Sequence, residues 1–135
     1  MQAIGIIGAG QMGAGIAQVS AQAGYNVFLS DVSVERAQAG KDGIAKIFGK
    51  LVAKEKLTQG DADAVLARIT PVGEYAPMSE AGLIIEAATE REDIKRMIFA
   101  EAGKVLASDA VLASNTSSIS ITRLGQVSPD PSRFI

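Results

Sequence analysis

An apolar segment, Ala3-Ile4-Gly5-Ile6-Ile7, runs straight into Gly8-Ala9-Gly10-Gln11-Met12-Gly13, and a helix-forming stretch, Ala14 to Ala23, follows at once. A strand that must bend sharply and pass directly into a helix leaves few folds open. Gly8 allows the tight bend, Gly10 leaves the backbone open to a pyrophosphate, and Gly13 lets helix and strand pack closely. The N–H groups and partial positive charge at the start of that helix suit phosphate. The glycine spacing alone is a weak signal. The strand before it and the helix after it make it a dinucleotide-binding signature, with Gln11 and Met12 inside the cofactor turn.

The next segment supports that reading. Gly24 stands where a helix C-cap glycine belongs, and Tyr25 to Ser30 forms a second short strand ending at Asp31. Asp31 lies near the offset of about 20 residues at which the fingerprint places an acid. A carboxylate there accepts hydrogen bonds from the adenosine ribose and repels a 2′-phosphate, which favours NAD over NADP. Val32 and Ser33 follow instead of arginine, although Arg36 stands one turn further on. The plainer role for Asp31 is a solvated turn residue or helix cap.

Composition narrows the chemistry. The 135 residues have room for one domain, residues 1–135, with a sizeable core, and the net charge of −2 offers no broad basic surface for nucleic acid or an acidic membrane. Without cysteine there is neither a disulfide nor a thiolate nucleophile, and without histidine the commonest general base and metal ligand is missing. No metal site is expected. The apolar runs are too short to cross a bilayer, and no basic segment precedes the first strand. These features lead to the expectation of a soluble, cytoplasmic domain.

Ser33 can cap a long helix carrying Glu35 in its first turn, with Val34, Ala37, Ile44, Ile47, Phe48, Leu51 and Val52 at helical spacing. Gly40, Gly43 and Gly49 weaken it locally. Thr58, with Asp61 three residues on, starts a second helix over Ala62 to Ile69. The pair predicts a helical hairpin projecting from the sheet. Lys50, Lys54 and Lys56 gather at its tip, either as a solvated face or as an anion site.

Ile69 to Val72 is a weak strand candidate, since Pro71 suits only an edge or a strand start. Leu83-Ile84-Ile85 and Val111-Leu112-Ala113 are clearer buried strands, separated by an amphipathic helix through Ile94, Met97, Ile98, Ala102, Val105 and Leu106. A last helical stretch holds Ile119, Ile121 and Leu124, and Arg133-Phe134-Ile135 begins another strand. Short apolar strands alternating with helices predict an α/β fold, a Rossmann-type doubly wound parallel sheet with a helical-hairpin insertion. Ligands in such sheets bind beyond the carboxyl ends of the strands. Gly8 to Gly13, Asp31, Glu86 to Glu90 and Ser114 to Ser118 all fall there. Asn115 and Ser117 can reach a ligand or simply cap a helix. Glu90 fits a general base or a first-turn surface carboxylate.

The run Ile6 to Ala17 resembles the start of the 3-hydroxyacyl-CoA dehydrogenases, among them the 3-hydroxybutyryl-CoA dehydrogenases. Ile84-Ile85-Glu86-Ala87 with Glu90 and Lys95 resembles that family's next block, and Leu112-Ala113-Ser114-Asn115-Thr116-Ser117-Ser118-Ile119 is the most specific match. The last block disfavours 3-hydroxyisobutyrate-type dehydrogenases, which carry a glycine-rich substrate loop in that region.

The resemblance implies that Gly8, Gly10 and Gly13 hold the pyrophosphate of NAD and Asp31 its adenosine ribose. It implies that Ala87, Glu90, Lys95 and Asn115 line the cofactor, with Asn115 at the nicotinamide end, and that Ser117 bonds the substrate oxygen. The hairpin resembles a CoA-contacting arm, which would bring Lys50, Lys54 or Lys56 to CoA phosphates. The implied reaction interconverts (S)-3-hydroxyacyl-CoA, such as 3-hydroxybutyryl-CoA, and 3-oxoacyl-CoA with hydride transfer to NAD, as in fatty acid β-oxidation or butanoate metabolism.

The family's histidine–glutamate dyad and its helical C-terminal domain, which forms the homodimer, are expected beyond Ile135. The cofactor half alone is then expected to be inactive, with an apolar face where that domain docks. The alternative is a stand-alone, non-catalytic NAD-binding module.

Overall fold

The computed structural model describes residues 3–88, 92–105 and 110–114. Within them, strands β1 (Ala3–Ile7), β2 (Asn26–Ser30), β3 (Ile69–Val72), β4 (Leu83–Glu86) and β5 (Val111–Ser114) form one sheet. Its order is β3-β2-β1-β4-β5, and every neighbouring pair is parallel. Helices α1 (Gln11–Gln22), α2 (Val34–Ala53), α3 (Gln59–Ala67) and α4 (Glu92–Val105), with a 3-10 helix over Ala76–Glu80, make the connections. The chain starts in the middle of the sheet, builds outward to β3, then crosses back to β4. That reversal beside β1 is the switch point at which such sheets open a ligand crevice.

A parallel sheet needs cover on both faces, and side-chain alternation supplies it. Ile4 and Ile6 of β1, Val27 and Leu29 of β2 and Ile69 of β3 pack with Ala17 and Ala21 of α1, Ile44 and Phe48 of α2, and Ala62 and Val65 of α3. The alternate residues, Ile7, Ile84 and Leu112, pack on the other side with Met78, Ala81 and Ala102 of α4. All five residues of β1 are buried, as a central strand requires. Pro71 lies in β3, which has β2 as its one strand neighbour among the described residues, so its missing N–H breaks no ladder there.

Local chemistry sets the helix ends. Gly24, at φ +102°, takes the left-handed turn that ends α1, with its N–H donating to Ala21 O and that of Tyr25 to Ser20 O. Arg68 adds a guanidinium bond from Nη1 to Ala21 O at 2.8 Å, placing a cation at the negative end of α1. Ser33 Oγ accepts the Arg36 N–H to start α2, and Thr58 Oγ1 accepts the Asp61 N–H to start α3.

The hairpin of α2 and α3 does not project from the sheet. Ile44, Phe48, Ala62 and Val65 are buried in the same cluster as the strands, so the pair is seated along one face. Its far end, through Lys50, Lys54, Glu55 and Lys56, remains exposed. The final helical stretch and the strand at Arg133 to Ile135 lie outside the described residues.

Candidate functional site

The carboxyl end of β1 passes into Gly8, whose φ of +107° is closed to other side chains without strain. Its N–H donates to Ser30 O at 2.8 Å, tying the turn to the end of β2. A Cβ at Gly13 would overlap the Gly8 carbonyl oxygen, so this position admits glycine alone. Gly10 differs from both: among the described residues, a Cβ there would meet no atom within 4 Å beyond its own chain neighbours. A side chain at that point would fill only the space in front of the turn.

The start of α1 also differs from those of its neighbours. Its N-cap, Gly10, makes no side-chain bond to the helix, and no acid lies in its first turn. Both α2 and α3 have a hydroxyl cap and a first-turn acid, Glu35 and Asp61. The amides of Gln11 and Met12 therefore have neither a capping side chain nor a first-turn carboxylate from their own helix. That donor set, with the cradle at Gly10, fits a pyrophosphate.

Asp31 stands beside this turn. Its Oδ2 accepts the Ala9 N–H at 2.9 Å and its Oδ1 the Val32 N–H at 2.7 Å. Each carboxylate oxygen has two lone pairs, so these bonds leave acceptor capacity for hydroxyl groups. Ser30, one residue earlier, is fully buried and donates from Oγ to Ile6 O at 3.1 Å, joining the ends of β1 and β2. On the other side, Ala87 N–H donates to Ile7 O at 2.8 Å and brings the turn after β4 against Gly8.

Two hollows lie beside these residues. One, of about 370 Å³, runs between α1 and α2 and is lined by Gly10, Gly15, Arg36, Gly40, Gly43 and Ile47. Positions 36, 40, 43 and 47 repeat at three and four residues, so they form one stripe of α2, which Lys50 and Lys54 continue. The other, of about 540 Å³, begins at Asp31 and is lined by Val32, Glu74, Tyr75, Glu101 and Lys104. Burial, then the carboxylates of Glu101, Asp31 and Glu86, push the Tyr75 hydroxyl above its usual pKa of 10.0.

Gly8, Gly10, Gln11, Met12 and Gly13 thus form one turn at the carboxyl end of β1, with Asp31 bonded to it at Ala9 and Ala87 bonded to the end of β1 at Ile7. Lys50 and Lys54 lie at the end of the α2 stripe, whereas Lys56 lines a separate hollow with Val52 and Leu57. Glu90, Asn115 and Ser117 lie outside the described residues, as does the side chain of Lys95, whose backbone belongs to α4.

Sequence reasoning missed Gly40. A Cβ there would stand 2.8 Å from Ala9 O, so this glycine lets α2 approach the cofactor turn. The regular spacing of Gly40, Gly43 and Ile47 was the signal available. It also missed Tyr75, which follows a strand too short to mark clearly.

The sheet order, the glycine turn and the acid closing β2 define a dinucleotide-binding domain of the Rossmann type. The family model described as the 3-hydroxyacyl-CoA dehydrogenase NAD binding domain matches residues 3–135, and the chain belongs to that family. It is 44% identical over 132 residues to a 3-hydroxybutyryl-CoA dehydrogenase of Bradyrhizobium diazoefficiens, covering 98% of this chain and 45% of that protein. It is 39% identical over 133 residues to the 3-hydroxyadipyl-CoA dehydrogenase of Escherichia coli, covering 98% of this chain and 28% of that one. The crystal structure of (S)-3-hydroxybutyryl-CoA dehydrogenase from Ralstonia eutropha matches with a TM-score of 0.95 at 41% identity, over 100% of this chain and 48% of the other. The chain thus spans half or less of the length of these relatives. Among the described residues, no helix is long and apolar enough to cross a membrane.

Proposed function

We propose that this chain is the NAD-binding part of a cytoplasmic dehydrogenase that interconverts (S)-3-hydroxyacyl-CoA and 3-oxoacyl-CoA, with 3-hydroxybutyryl-CoA as its substrate. The observation that carries this reading is the uncapped, acid-free start of α1 facing the cradle at Gly10, with Asp31 beside it. Amides of Gln11 and Met12 hold the pyrophosphate. Asp31 takes the adenosine ribose hydroxyls while keeping the Ala9 N–H, and the hollow from Val32 to Tyr75 receives the adenine. Ala87, Glu90, Lys95 and Asn115 line the rest of the cofactor, with Asn115 at the nicotinamide end.

Bound NAD supplies the hydride acceptor. Ser117 bonds the substrate oxygen. No histidine stands in these 135 residues, so we place the base that takes the hydroxyl proton in another part of the protein. The stripe from Gly40 through Ile47 to Lys54 rises about 21 Å along α2, with Lys50 and Lys54 beyond the hollow at one end and Arg36 at the other. That arrangement suits CoA, whose pantetheine arm is thin and whose other end carries phosphates. Met12 and Val19, exposed on α1 and lining one shallow hollow, offer an apolar face for a further domain through which the protein forms a homodimer.

The test is a spectrophotometric assay of the purified full-length protein with 3-hydroxybutyryl-CoA and NAD. NADH formation supports the reading. A protein that binds NADH yet reduces no 3-oxoacyl-CoA sinks the enzymatic part of it.

A further inference from the structure

Glu86 is the last residue of β4, and its side chain is wholly buried, a position a carboxylate tolerates only when hydrogen-bonded. Its Oε2 accepts the Ala88 N–H at 2.6 Å, the short distance of a charge-assisted bond. The bond folds one carboxylate oxygen back over its own turn, so this acid organises backbone. That turn in turn lies on the glycine fingerprint. A Cβ on Gly8 would stand 2.7 Å from Ala88 Cα, 2.8 Å from Ala88 N and 2.9 Å from the Ala87 carbonyl carbon. The backbone bond from Ala87 N–H to Ile7 O fixes one end of the turn, and the Glu86 carboxylate fixes the other.

We propose that Glu86 is a positioning residue for the dinucleotide site: by holding the Ala88 N–H it seats the turn after β4 against Gly8 and keeps the glycine turn in its binding shape. Across the turn, Asp31 holds the Ala9 N–H in the same manner. Two acids at the carboxyl ends of the strands flanking β1 thus brace the cofactor turn from either side. Ala88 is exposed, so without Glu86 its N–H turns to water and the brace loosens while the sheet persists. The proposal rests on the NAD reading. Linkage adds a second consequence: if the brace favours the dinucleotide, the dinucleotide must tighten the brace by the same factor.

The experiment compares the purified protein with Glu86→Gln and Glu86→Met by NADH titration, with thermal unfolding followed alongside. Gln keeps an acceptor oxygen and should bind NADH within about threefold of the parent, whereas Met should bind about tenfold more weakly or worse while still unfolding cooperatively. A folded Met variant that binds NADH like the parent overturns the proposal. Should Met fail to fold, hydrogen exchange on the parent decides: NADH must slow exchange of the Ala88 amide, and exchange indifferent to NADH overturns it. A parent that binds no NADH at all overturns the cofactor reading itself, a result that neither variant can mimic.

Discussion

The Asp31 carboxylate accepts the Ala9 N–H at 2.9 Å, so the acid that closes β2 also holds the turn that closes β1. One side chain thereby shapes the site, and under the proposed function it also selects the cofactor. Asp31→Ala loses both, and a bond to a charged group contributes about 1.5–3 kcal/mol, so NADH affinity should fall roughly 10- to 100-fold. Asp31→Arg should instead improve NADPH relative to NADH. Titration of each variant with both nucleotides checks this, and an unchanged ratio in the arginine variant counts against the ribose role.

Gly40 and Gly43 are one helical turn apart and should respond to alanine with opposite signs. A Cβ at Gly40 meets Ala9 O at 2.8 Å and Ala9 Cβ at 2.9 Å, whereas one at Gly43 meets nothing within 4 Å. Overpacking costs about 1–3 kcal/mol, against a helix-propensity gain of roughly 1 kcal/mol. Gly40→Ala should therefore lower the urea midpoint and Gly43→Ala raise it. The same sign at both positions contradicts the close seating of α2 on the cofactor turn.

Lys50 and Lys54 continue the stripe that lines the groove between α1 and α2, and both are exposed. Their joint replacement by glutamate should raise the KM for acyl-CoA about fivefold or more, at roughly 1 kcal/mol for an exposed ion pair, and leave NADH affinity untouched. The KM effect should shrink as salt rises. An unchanged KM returns both lysines to the role of a solvated face.

The Tyr75 hydroxyl is held above 10.0 by burial and then by Glu101, Asp31 and Glu86. The folded state keeps this proton where the unfolded chain releases it, so the stability it contributes is complete below pH 10 and is lost as pH rises through the folded pKa. Tyr75→Phe should flatten that alkaline loss, with the difference between variant and parent constant below pH 10. Urea denaturation across the alkaline range reads it directly, and parallel curves above pH 10 contradict it.

Much of the fold was legible because its signals are local. Gly24, Ser33 and Thr58 each act on backbone within a few residues, and each stands in the structure where its spacing puts it. The strands read as parallel because both faces are buried, leaving apolar runs in place of alternation. Distant contacts left weaker traces. Gly40 reads as a flaw in a helix until Ala9, far away in sequence, is found against it. Glu86 reads as one more acid at a strand end, since nothing nearby in the chain tells of its burial. The 3-10 helix over Ala76–Glu80 has no period to detect, yet its Met78 fills the space beside Gly5 at the sheet centre. The hairpin was recognised, but its seating depends on Phe48 and Val65 meeting strands from elsewhere in the sequence.

The most direct test of the dinucleotide site is a calorimetric titration of the purified protein with NADH and, separately, NADPH. The expected result is one NADH per chain, with NADPH weaker by about a hundredfold because its 2′-phosphate meets the Asp31 carboxylate. Equal affinity for the two nucleotides, or no binding of NADH, contradicts it.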